Sequence, residues 1–363
     1  MKRVLFLVNH DVVIYNFRRE LVERLLNDGH EVIISSPYGE RIELLRAMGC
    51  RYVEVQLDRH GKNPLKEVKL LLYYKKLIAE IKPDMIFSYT IKPNLYGAIA
   101  ARINRVPIVA NITGLGTAVE GKGILQSAMV LFYKAAFGKV QTVFVQNTEN
   151  QQYFIDNKIT VDKLKLLPGS GVNLERFHVL DYPKKDTIEF VFISRIMKEK
   201  GIDQYLDAAK YIREKYPQTR FHICGFCEEA YEQILKNLEE KGIIKYHGLI
   251  MDVREVLKDT HCTVHPTYYP EGLSNVLLES SASGRPIITT DRSGCREVID
   301  DGINGYKIPQ QDSQALIDAI EKFIALSNEE REVMGLAGRR KVEAEFDRQI
   351  VVEAYIKELE RGK

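Results

Sequence analysis

The sequence predicts a two-domain α/β protein in which each domain wraps helices around a parallel sheet. Three observations carry this expectation. A chain of 363 residues exceeds what one hydrophobic core usually organises, so two domains of about 170 to 190 residues are expected. Short β-branched runs alternate with amphipathic stretches along most of the length, which is the pattern of strand–helix–strand crossovers. The alternation breaks once, between Pro168 and Asp186, in Pro-Gly-Ser-Gly followed by Asp-Tyr-Pro-Lys-Lys-Asp, and then restarts.

In the first half, Val4–Val8, Glu31–Ser35, Tyr52–Val55, Met85–Ser88, Ile108–Asn111, Thr142–Val145 and Lys165–Leu167 read as strands. Phe17–Asn27, Ile42–Met48, Leu65–Ile81 and Asn94–Ile103 read as helices, with Gly29 and Gly49 placed where C-caps belong. The second half repeats the scheme with strands at Ile188–Ile193, Arg220–Cys224, Ile244–His247, Thr263–His265 and Pro286–Thr290. Helical patterns lie between them at Gln204–Lys215, Glu228–Lys241, Val253–Lys258 and Asn275–Ser283, and three more follow at Ser313–Leu326, Glu329–Glu343 and Gln349–Leu359. The expected boundaries are 1–168 for the first domain, 169–186 for a linker and 187–345 for the second domain. A C-terminal helix over 346–363 is expected to pack back on the first domain. Ligands of such sheets bind beyond the carboxyl ends of the strands, so two facing sheets would place a site in the cleft.

Composition narrows the class. Apolar residues at 45% and charged residues at 28% exclude disordered, collagen-like and coiled-coil chains. No apolar run approaches the roughly 18 to 20 residues that span a bilayer, and the greasy start Met1–Val8 is too short for a secretory signal. Five irregularly spaced cysteines fit a reduced, cytoplasmic protein. The net charge of +2 hides an asymmetry, because residues 1–170 carry +8 and residues 171–363 carry −6. The first domain is therefore expected to face something anionic. Nothing in the pattern asks for nucleic acid.

Two stretches suggest chemistry. In Glu271-Gly-Leu-Ser-Asn-Val-Leu-Leu-Glu279, Gly272 lets backbone approach a ligand, and Ser274 can cap a helix whose amides around Leu273–Asn275 would favour phosphate. Glu279 can turn its carboxylate toward a ribose diol. By spacing alone, an ordinary capped helix with solvated acids fits too. Arg195-Ile-Met-Lys-Glu-Lys200-Gly201 follows the second domain's first strand; there a guanidinium and an ammonium could jointly neutralise a diphosphate, or form a plain basic loop. Cys224-Gly-Phe-Cys227 lacks a second cysteine pair, so metal is not expected. His265, before Pro266 at a strand end, reads as a buried, hydrogen-bonded histidine, with a pocket-lining role as the alternative.

Arg-x4-Lys-Gly after a strand, followed by Glu-x7-Glu, resembles the retaining family 4 glycosyltransferases with the GT-B fold, two Rossmann-like domains facing across a cleft. Tyr246-His-Gly-Leu-Ile250 resembles that family's base-binding turn, and Gly171-Val-Asn173 with Phe177 its interdomain segment. Ser293-Gly-Cys-Arg-Glu297 and Asp301-Gly-Ile-Asn-Gly305 resemble its final strand region. The resemblance implies Arg195 and Lys200 on the donor phosphates, Glu279 on the ribose, and the Leu249–Ile250 backbone on the base. It further implies Glu271 with the amides of Gly272, Leu273, Ser274 and Asn275 on the transferred sugar and diphosphate. In the first domain, Asn9 and Tyr15 fall in the first-strand loop, where many members carry a Gly-Gly pair that is absent here. Thr113 and Gly114 stand where many members carry His-Gly or Glu-Gly. Ser88–Gly97 and Thr113–Thr117 resemble a subgroup that adds N-acetylgalactosamine or a related hexose to polyprenyl-diphosphate-linked sugars.

The implied reaction moves a hexose or N-acetylhexosamine from a nucleotide sugar, with UDP favoured by the subgroup, to a lipid-linked glycan. Retention by front-face attack is implied, with no cofactor and no metal. Alternatives are a nucleotide-sugar 2-epimerase of the same fold, a hydrolase using Glu271 and Glu279, and a catalytically silent nucleotide-sugar binder. Pro64–Lys82 carries Lys66, Lys69, Lys75, Lys76 and Lys82, with Lys62 just before, against Glu67 and Glu80. Leu65, Val68, Leu72 and Ala79 fall near one helical face, broadened by Leu71, Tyr74 and Ile78. That pattern fits a sheet-covering helix with a basic solvent side. It also supports peripheral contact with an anionic membrane, at the inner face of the plasma membrane.

Overall fold

A computed structural model describes residues 1–57, 63–114, 124–270 and 272–361. Met1–Gly171 with Arg348–Lys363 form one compact unit, and Val172–Asp347 form the other. The stretch expected as a linker is thus divided. Residues 172–186 belong to the second unit because its apolar side chains find a core there. Val172 and Phe177 are buried beside Leu273, Leu277 and Phe346, and the Tyr182 hydroxyl donates to the His261 carbonyl at 2.9 Å.

The first unit is built on β1 (Arg3–Leu7), β2 (Glu31–Ser36), β3 (Arg51–Glu54), β4 (Met85–Tyr89), β5 (Ile108–Ile112), β6 (Thr142–Val145) and β7 (Leu164–Leu166), with helices between them. Among the described residues these strands form one parallel sheet in the order β3-β2-β1-β4-β5-β6-β7. The order reverses between β1 and β4. Central strands are buried throughout, as expected when helices cover both faces. Side chains alternate between two cores. Leu5, Leu7, Ile33, Ile86 and Val143 face one side; Val4, Phe6, Ile34, Phe87 and Phe144 face the other.

The helices differ from expectation at informative places. Asp11–Phe17 forms α1 rather than loop, capped by His10, whose Nδ1 accepts the Val12 N–H at 3.2 Å. Arg18 separates it from α2 (Arg19–Asn27), so the helix expected over Phe17–Asn27 begins two residues later. Helices α2 and α3 (Ile42–Ala47) end before Gly29 at φ +78° and Gly49 at φ +106°, the left-handed turn that glycine adopts without strain. α4 (Pro64–Ile81) begins at Asn63, whose side chain accepts the Leu65 N–H at 3.0 Å. Its sheet face is Leu70, Tyr74, Leu77, Ile78 and Ile81. The apolar positions that the sequence groups together are therefore split, with Leu65, Val68 and Leu72 exposed at 74%, 54% and 55%. At 100° per residue the two rows lie on opposite sides of the helix. α5 (Ile91–Asn104) starts three residues before the expected Asn94. α6 (Ile124–Phe137), apolar on most sides, and α7 (Thr148–Asp156) complete the crossovers.

The second unit contains β8 (Ile188–Ile193), α8 (Ile202–Lys215), β9 (Thr219–Cys224), α9 (Glu232–Glu240), β10 (Lys245–Tyr246), α10 (Arg254–Leu257), β11 (Cys262–His265), α11 (Asn275–Ala282), β12 (Ile287–Thr290), β13 (Gly305–Ile308), α12 (Ser313–Ala325) and α13 (Asn328–Glu345). Its parallel sheet runs β10-β9-β8-β11-β12-β13 and reverses between β8 and β11. α9 begins later than the expected Glu228. The amides of Glu228 and Glu229 bond the Ile196 carbonyl instead of opening the helix.

α14 (Arg348–Arg361) lies in the first unit. Tyr355 is fully buried, with its ring centroid 4.9 Å from Phe87 and 5.0 Å from Phe144. The buried Glu358 carboxylate accepts from Lys165 Nζ at 2.5 Å and Thr142 Oγ1 at 2.7 Å. Arg348 holds Glu20 through bonds of 2.9 and 3.0 Å. A Cβ at Gly171 would fall 2.5 Å from the Arg348 Cα. Among the described residues, no helix is long and apolar enough to cross a membrane.

Candidate functional site

The sheet reversal in the second unit brings several of the candidate side chains onto neighbouring loops. Neighbouring strands at a reversal send their following helices to opposite faces, which leaves a crevice at their carboxyl ends. The loops after β8 and β11 flank that crevice. They carry Arg195 with Lys200, and Gly272 with Ser274.

The β8 loop is fixed from two sides. The Ser194 N–H bonds the Cys224 carbonyl at 3.0 Å and the Ile196 N–H bonds the Phe226 carbonyl at 2.9 Å. The two loops meet so closely that a Cβ at Gly225 would sit 1.8 Å from the Ser194 oxygen. Lys198–Lys200 then makes a 3₁₀ turn that ends at Gly201 with φ +79°. A Cβ at Gly201 would meet the Pro266 carbonyl oxygen at 2.1 Å, so glycine is required for both conformation and space. The β11 loop hooks onto the same turn, with the Tyr268 and Tyr269 amides both bonding the Glu199 carbonyl at 2.9 Å.

This arrangement brings the two expected cations together over one ring. Lys200 Nζ lies 4.6 Å, and the Arg195 guanidinium carbon 5.3 Å, from the Tyr269 centroid. Lys200 is 94% buried. Arg195 reaches Glu228 at 2.5 Å. Partial burial opposes its charge, but Glu228 and Tyr269 outweigh that and hold its pKa above the ordinary value. Tyr269 is a residue that the motif reading missed; the Tyr268-Tyr269-Pro270 run was its only signal.

Ser274 occupies the N-cap position of α11, but its side chain makes no capping bond. Its own amide bonds the Gly294 carbonyl at 2.7 Å. Helix geometry leaves the following amides of Asn275, Val276 and Leu277 without intrahelical partners. Their partial positive charge suits an anion. Leu273 and Ser274 are buried, and Asn275 Oδ1 is buried without a hydrogen-bond partner among the described residues. Glu279 lies one turn further along, half-buried. Glu271 lies outside the described residues. The β12–β13 connection supports the loop through Glu297, which accepts the Gly294 N–H at 2.7 Å and the Ser293 hydroxyl at 3.3 Å.

The Tyr246–Ile250 turn is tied to the same region. Gly248 has φ +65°, and its carbonyl accepts the Gly225 N–H at 2.8 Å. Leu249 is exposed and Ile250 packs against Leu257 and Val256. Below the turn, His247 Nε2 is 2.9 Å from His222 Nδ1, whose other nitrogen lies 2.6 Å from Glu189. His265 corrects the sequence reading. It is buried, yet among the described residues neither ring nitrogen has a hydrogen-bond partner. Burial, with the Lys200 charge nearby, pushes its pKa down to about 3, so the ring is neutral at physiological pH. Cys224 is buried, and the Cys227 sulfur is 3.9 Å from the Tyr246 hydroxyl. Among the described residues, no group of three His, Cys, Asp or Glu is placed to hold a metal.

The first unit has its own reversal, between β1 and β4. Asn9 follows β1, and its Oδ1 is buried without a hydrogen-bond partner among the described residues. Tyr15 lies within α1 rather than a loop, with the Arg19 and Arg41 guanidinium groups 5.5 and 5.4 Å from its ring centroid. Thr113 and Gly114 follow β5 and are half-buried, and Leu115–Thr117 lie outside the described residues. Thr90, between β4 and α5, has φ +70° and ψ 162°, and its hydroxyl has no partner among the described residues. A β-branched residue in that region is strained, as happens at ligand sites.

Comparison with known proteins agrees with this layout. Residues 179–341 match the family model described as "Glycosyl transferases group 1", and residues 3–147 match "Glycosyl transferase 4-like". The chain is 24% identical to the N,N'-diacetylbacillosaminyl-diphospho-undecaprenol alpha-1,3-N-acetylgalactosaminyltransferase of Campylobacter jejuni, across 99% of this chain and 98% of that one. It is 28% identical to the capsular polysaccharide biosynthesis glycosyltransferase CapM of Staphylococcus aureus, across 92% and 91%. Among solved structures, a glycosyltransferase from Rickettsia africae superposes with a TM-score of 0.83 at 16% identity, covering 99% of this chain and 98% of that one. Anabaena HepE, in complex with UDP and glucose, superposes at 0.81 with 17% identity, covering 99% and 100%. With two matched family models spanning most of both units and the two parallel sheets they require, the chain belongs to the family 4 glycosyltransferases of GT-B fold and is an enzyme that transfers glycosyl groups.

Proposed function

We propose that this enzyme moves a hexose or N-acetylhexosamine from a UDP-sugar to a glycan carried on a polyprenyl diphosphate, with retention of anomeric configuration. The pairing of Arg195 and Lys200 over Tyr269, at the crevice that α11 also enters, carries the reading. A nucleoside diphosphate departs with growing negative charge. Two preorganised cations and a helix N-terminus are what stabilise such a leaving group. The second unit is the donor domain in this reading. Arg195, Lys200 and the Gly272–Asn275 amides hold the diphosphate, Glu279 the ribose, the Leu249–Ile250 backbone the base, and Glu271 the transferred sugar. The first unit takes the acceptor beyond the carboxyl ends of its strands, with Asn9, Tyr15, Thr113 and Gly114 assigned to that role.

Retention then proceeds by front-face attack. The acceptor oxygen bonds the anomeric carbon as the carbon–oxygen bond to the diphosphate breaks, and a diphosphate oxygen takes the acceptor proton. The names of the Campylobacter and Staphylococcus relatives support a lipid-linked acceptor in surface glycan assembly. The +8 charge of residues 1–170 and the exposed Leu65, Val68 and Leu72 support peripheral seating at the inner face of the plasma membrane.

A panel of UDP-, GDP- and ADP-sugars screened by thermal shift, followed by the stabilising donor with a lipid-linked acceptor, tests the reading. Stabilisation by a UDP-sugar and a new acceptor product are expected. Interconversion of UDP-sugars without acceptor would replace transfer with 2-epimerisation. If Glu279 grips the ribose before and during reaction, Glu279→Gln raises the donor KM more than it lowers kcat.

A further inference from the structure

We propose that Glu189, His222 and His247 form a hydrogen-bonded chain of positioning residues that ties the base-holding turn to β8, the strand that also carries the Arg195 loop. The base and the diphosphate of the donor are then gripped from one common strand. The inference rests on the assignment of the Leu249–Ile250 backbone to the base and deepens it.

The turn needs such an anchor. Among the described residues β10, which leads into it, is two residues long and pairs with β9 alone at the edge of the sheet. So short an edge strand fixes a following loop weakly. The backbone adds the His247 N–H to the Ile223 carbonyl at 2.9 Å and the Gly225 N–H to the Gly248 carbonyl at 2.8 Å. Those bonds end on β9 and the loop after it. The side-chain bonds go one strand further.

Register places the three side chains on one face. Val191 stands opposite His222 between β8 and β9, and Lys245 stands opposite His222 between β9 and β10. Alternation then puts Glu189, His222 and His247 on the same side, stepping toward the carboxyl ends. That side also holds the small core of Val191, Cys224 and Leu257 against which Ile250 packs. His222 Nδ1 and His247 Nε2 are 2.9 Å apart, while the ring centroids are 5.2 Å apart and the planes differ by 28°. The rings therefore meet edge to edge through their nitrogens.

Glu189 decides where the protons sit. One carboxylate oxygen accepts the Thr187 hydroxyl at 2.8 Å, and the other lies 2.6 Å from His222 Nε2. Burial opposes its charge, but His222, Thr187 and Lys185 outweigh burial and hold its pKa at about 2. An ionised carboxylate only accepts, so His222 Nε2 carries hydrogen. In the neutral ring Nδ1 is then bare, and His247 Nε2–H donates to it. Burial, followed by His222 and Lys245, holds the His247 pKa below its ordinary value, against Glu239 on α9. His261, before β11, completes the surroundings, its Nδ1 accepting the Glu189 N–H at 3.1 Å. One added proton can be shared between the two rings. A second sets N–H against N–H and breaks the bond that holds the turn.

Imidazole nitrogen NMR of the whole chain at pH 7 is expected to show His222 and His247 both as Nε2–H tautomers. Calorimetric titration with UDP reads the placement of the turn. A Gln amide can replace the acceptor and donor of His222 without titrating, whereas Leu replaces neither. His222→Leu is expected to weaken UDP binding about tenfold, the cost of stranding buried partners. His222→Gln should match wild type at pH 7 and bind UDP more tightly than wild type at pH 5. The ratio of variant to wild type at each pH cancels the titration of UDP itself. Unaltered UDP affinity in His222→Leu overturns the proposal. So does equal weakening by both substitutions, which marks a packing role, or a spectrum with the opposite tautomers. A wild type that binds GDP or ADP in place of UDP sinks the uridine reading alone, and the same ratios on that nucleotide then decide the chain.

Discussion

Lys200 and Gly201 are adjacent in sequence and fail differently when altered. If Lys200 and Arg195 face the leaving diphosphate as proposed, Lys200→Ala should lower kcat/KM by roughly 2 to 4 kcal/mol of transition-state stabilisation in a folded protein. Near-normal turnover would remove Lys200 from the chemistry. Gly201→Ala adds a Cβ 2.1 Å from the Pro266 oxygen at φ +79°. The loop must shift, and we expect both a lower melting temperature and a loss of activity, because the shift moves Lys200 and Tyr269 together. A variant as stable and active as wild type would show that the loop tolerates the displacement. The cations themselves were legible as basic residues following a strand. Tyr269 was not, because its position depends on two amides converging on the Glu199 carbonyl, a long-range contact that no local pattern records. The strain at Thr90 was equally hidden, since nothing in Ser88-Tyr-Thr-Ile specifies a positive φ.

Elements were legible where one face repeats and hidden where two faces compete. The buried strands β1, β2, β4 and β5 and the Gly-terminated helices α2 and α3 follow from local pattern. α4 carries two apolar rows, and periodicity alone does not say which one the sheet takes. α1 was missed because its cap is a histidine side chain, and a short helix between β1 and Arg18 has little room to show a period. α14 makes a testable contribution through Glu358. Burial alone would raise that carboxyl's pKa, but bonds from Gln141, Lys165 and Thr142 outweigh it and hold the value below the ordinary 4.5. Its stabilisation is therefore fully present above about pH 4.5 and is lost as pH falls through the depressed value. Urea melts at pH 7 and pH 4 should show a smaller acid-induced loss for Glu358→Gln than for wild type, with the variant already weaker at pH 7. Equal pH dependence would mean that the helix is held by its apolar face alone.

At the scale of the molecule, charge and fold separate in the same way. The +8 half contains the exposed apolar row, and the −6 half contains the cation pair. Each lysine near an anionic surface contributes about 1 kcal/mol, screened by salt. Co-sedimentation should therefore favour anionic over neutral liposomes and fall at high salt. Replacing Lys66, Lys69, Lys75 and Lys76 with Gln should remove most of that salt dependence. Equal partitioning into both lipids would refute an electrostatic contribution. The two-unit plan was legible because the strand–helix alternation halts once. The exact division was not, since Val172, Phe177 and Tyr182 sit in a Pro- and Gly-rich stretch but bury as core residues.

The return of α14 to the first unit bears on how the protein is made. Tyr355 closes over Phe87 and Phe144, yet 176 residues of the second unit separate it from Gly171. At a synthesis rate of about 5 to 20 residues per second, the first unit waits on the order of 10 to 35 seconds after its own strands emerge before that aromatic face is covered. The first unit is thus early in synthesis and late in completion. A nascent chain arrested before Arg348 should present Phe87, Tyr89 and Phe144 to chaperones, and one released after Arg361 should not.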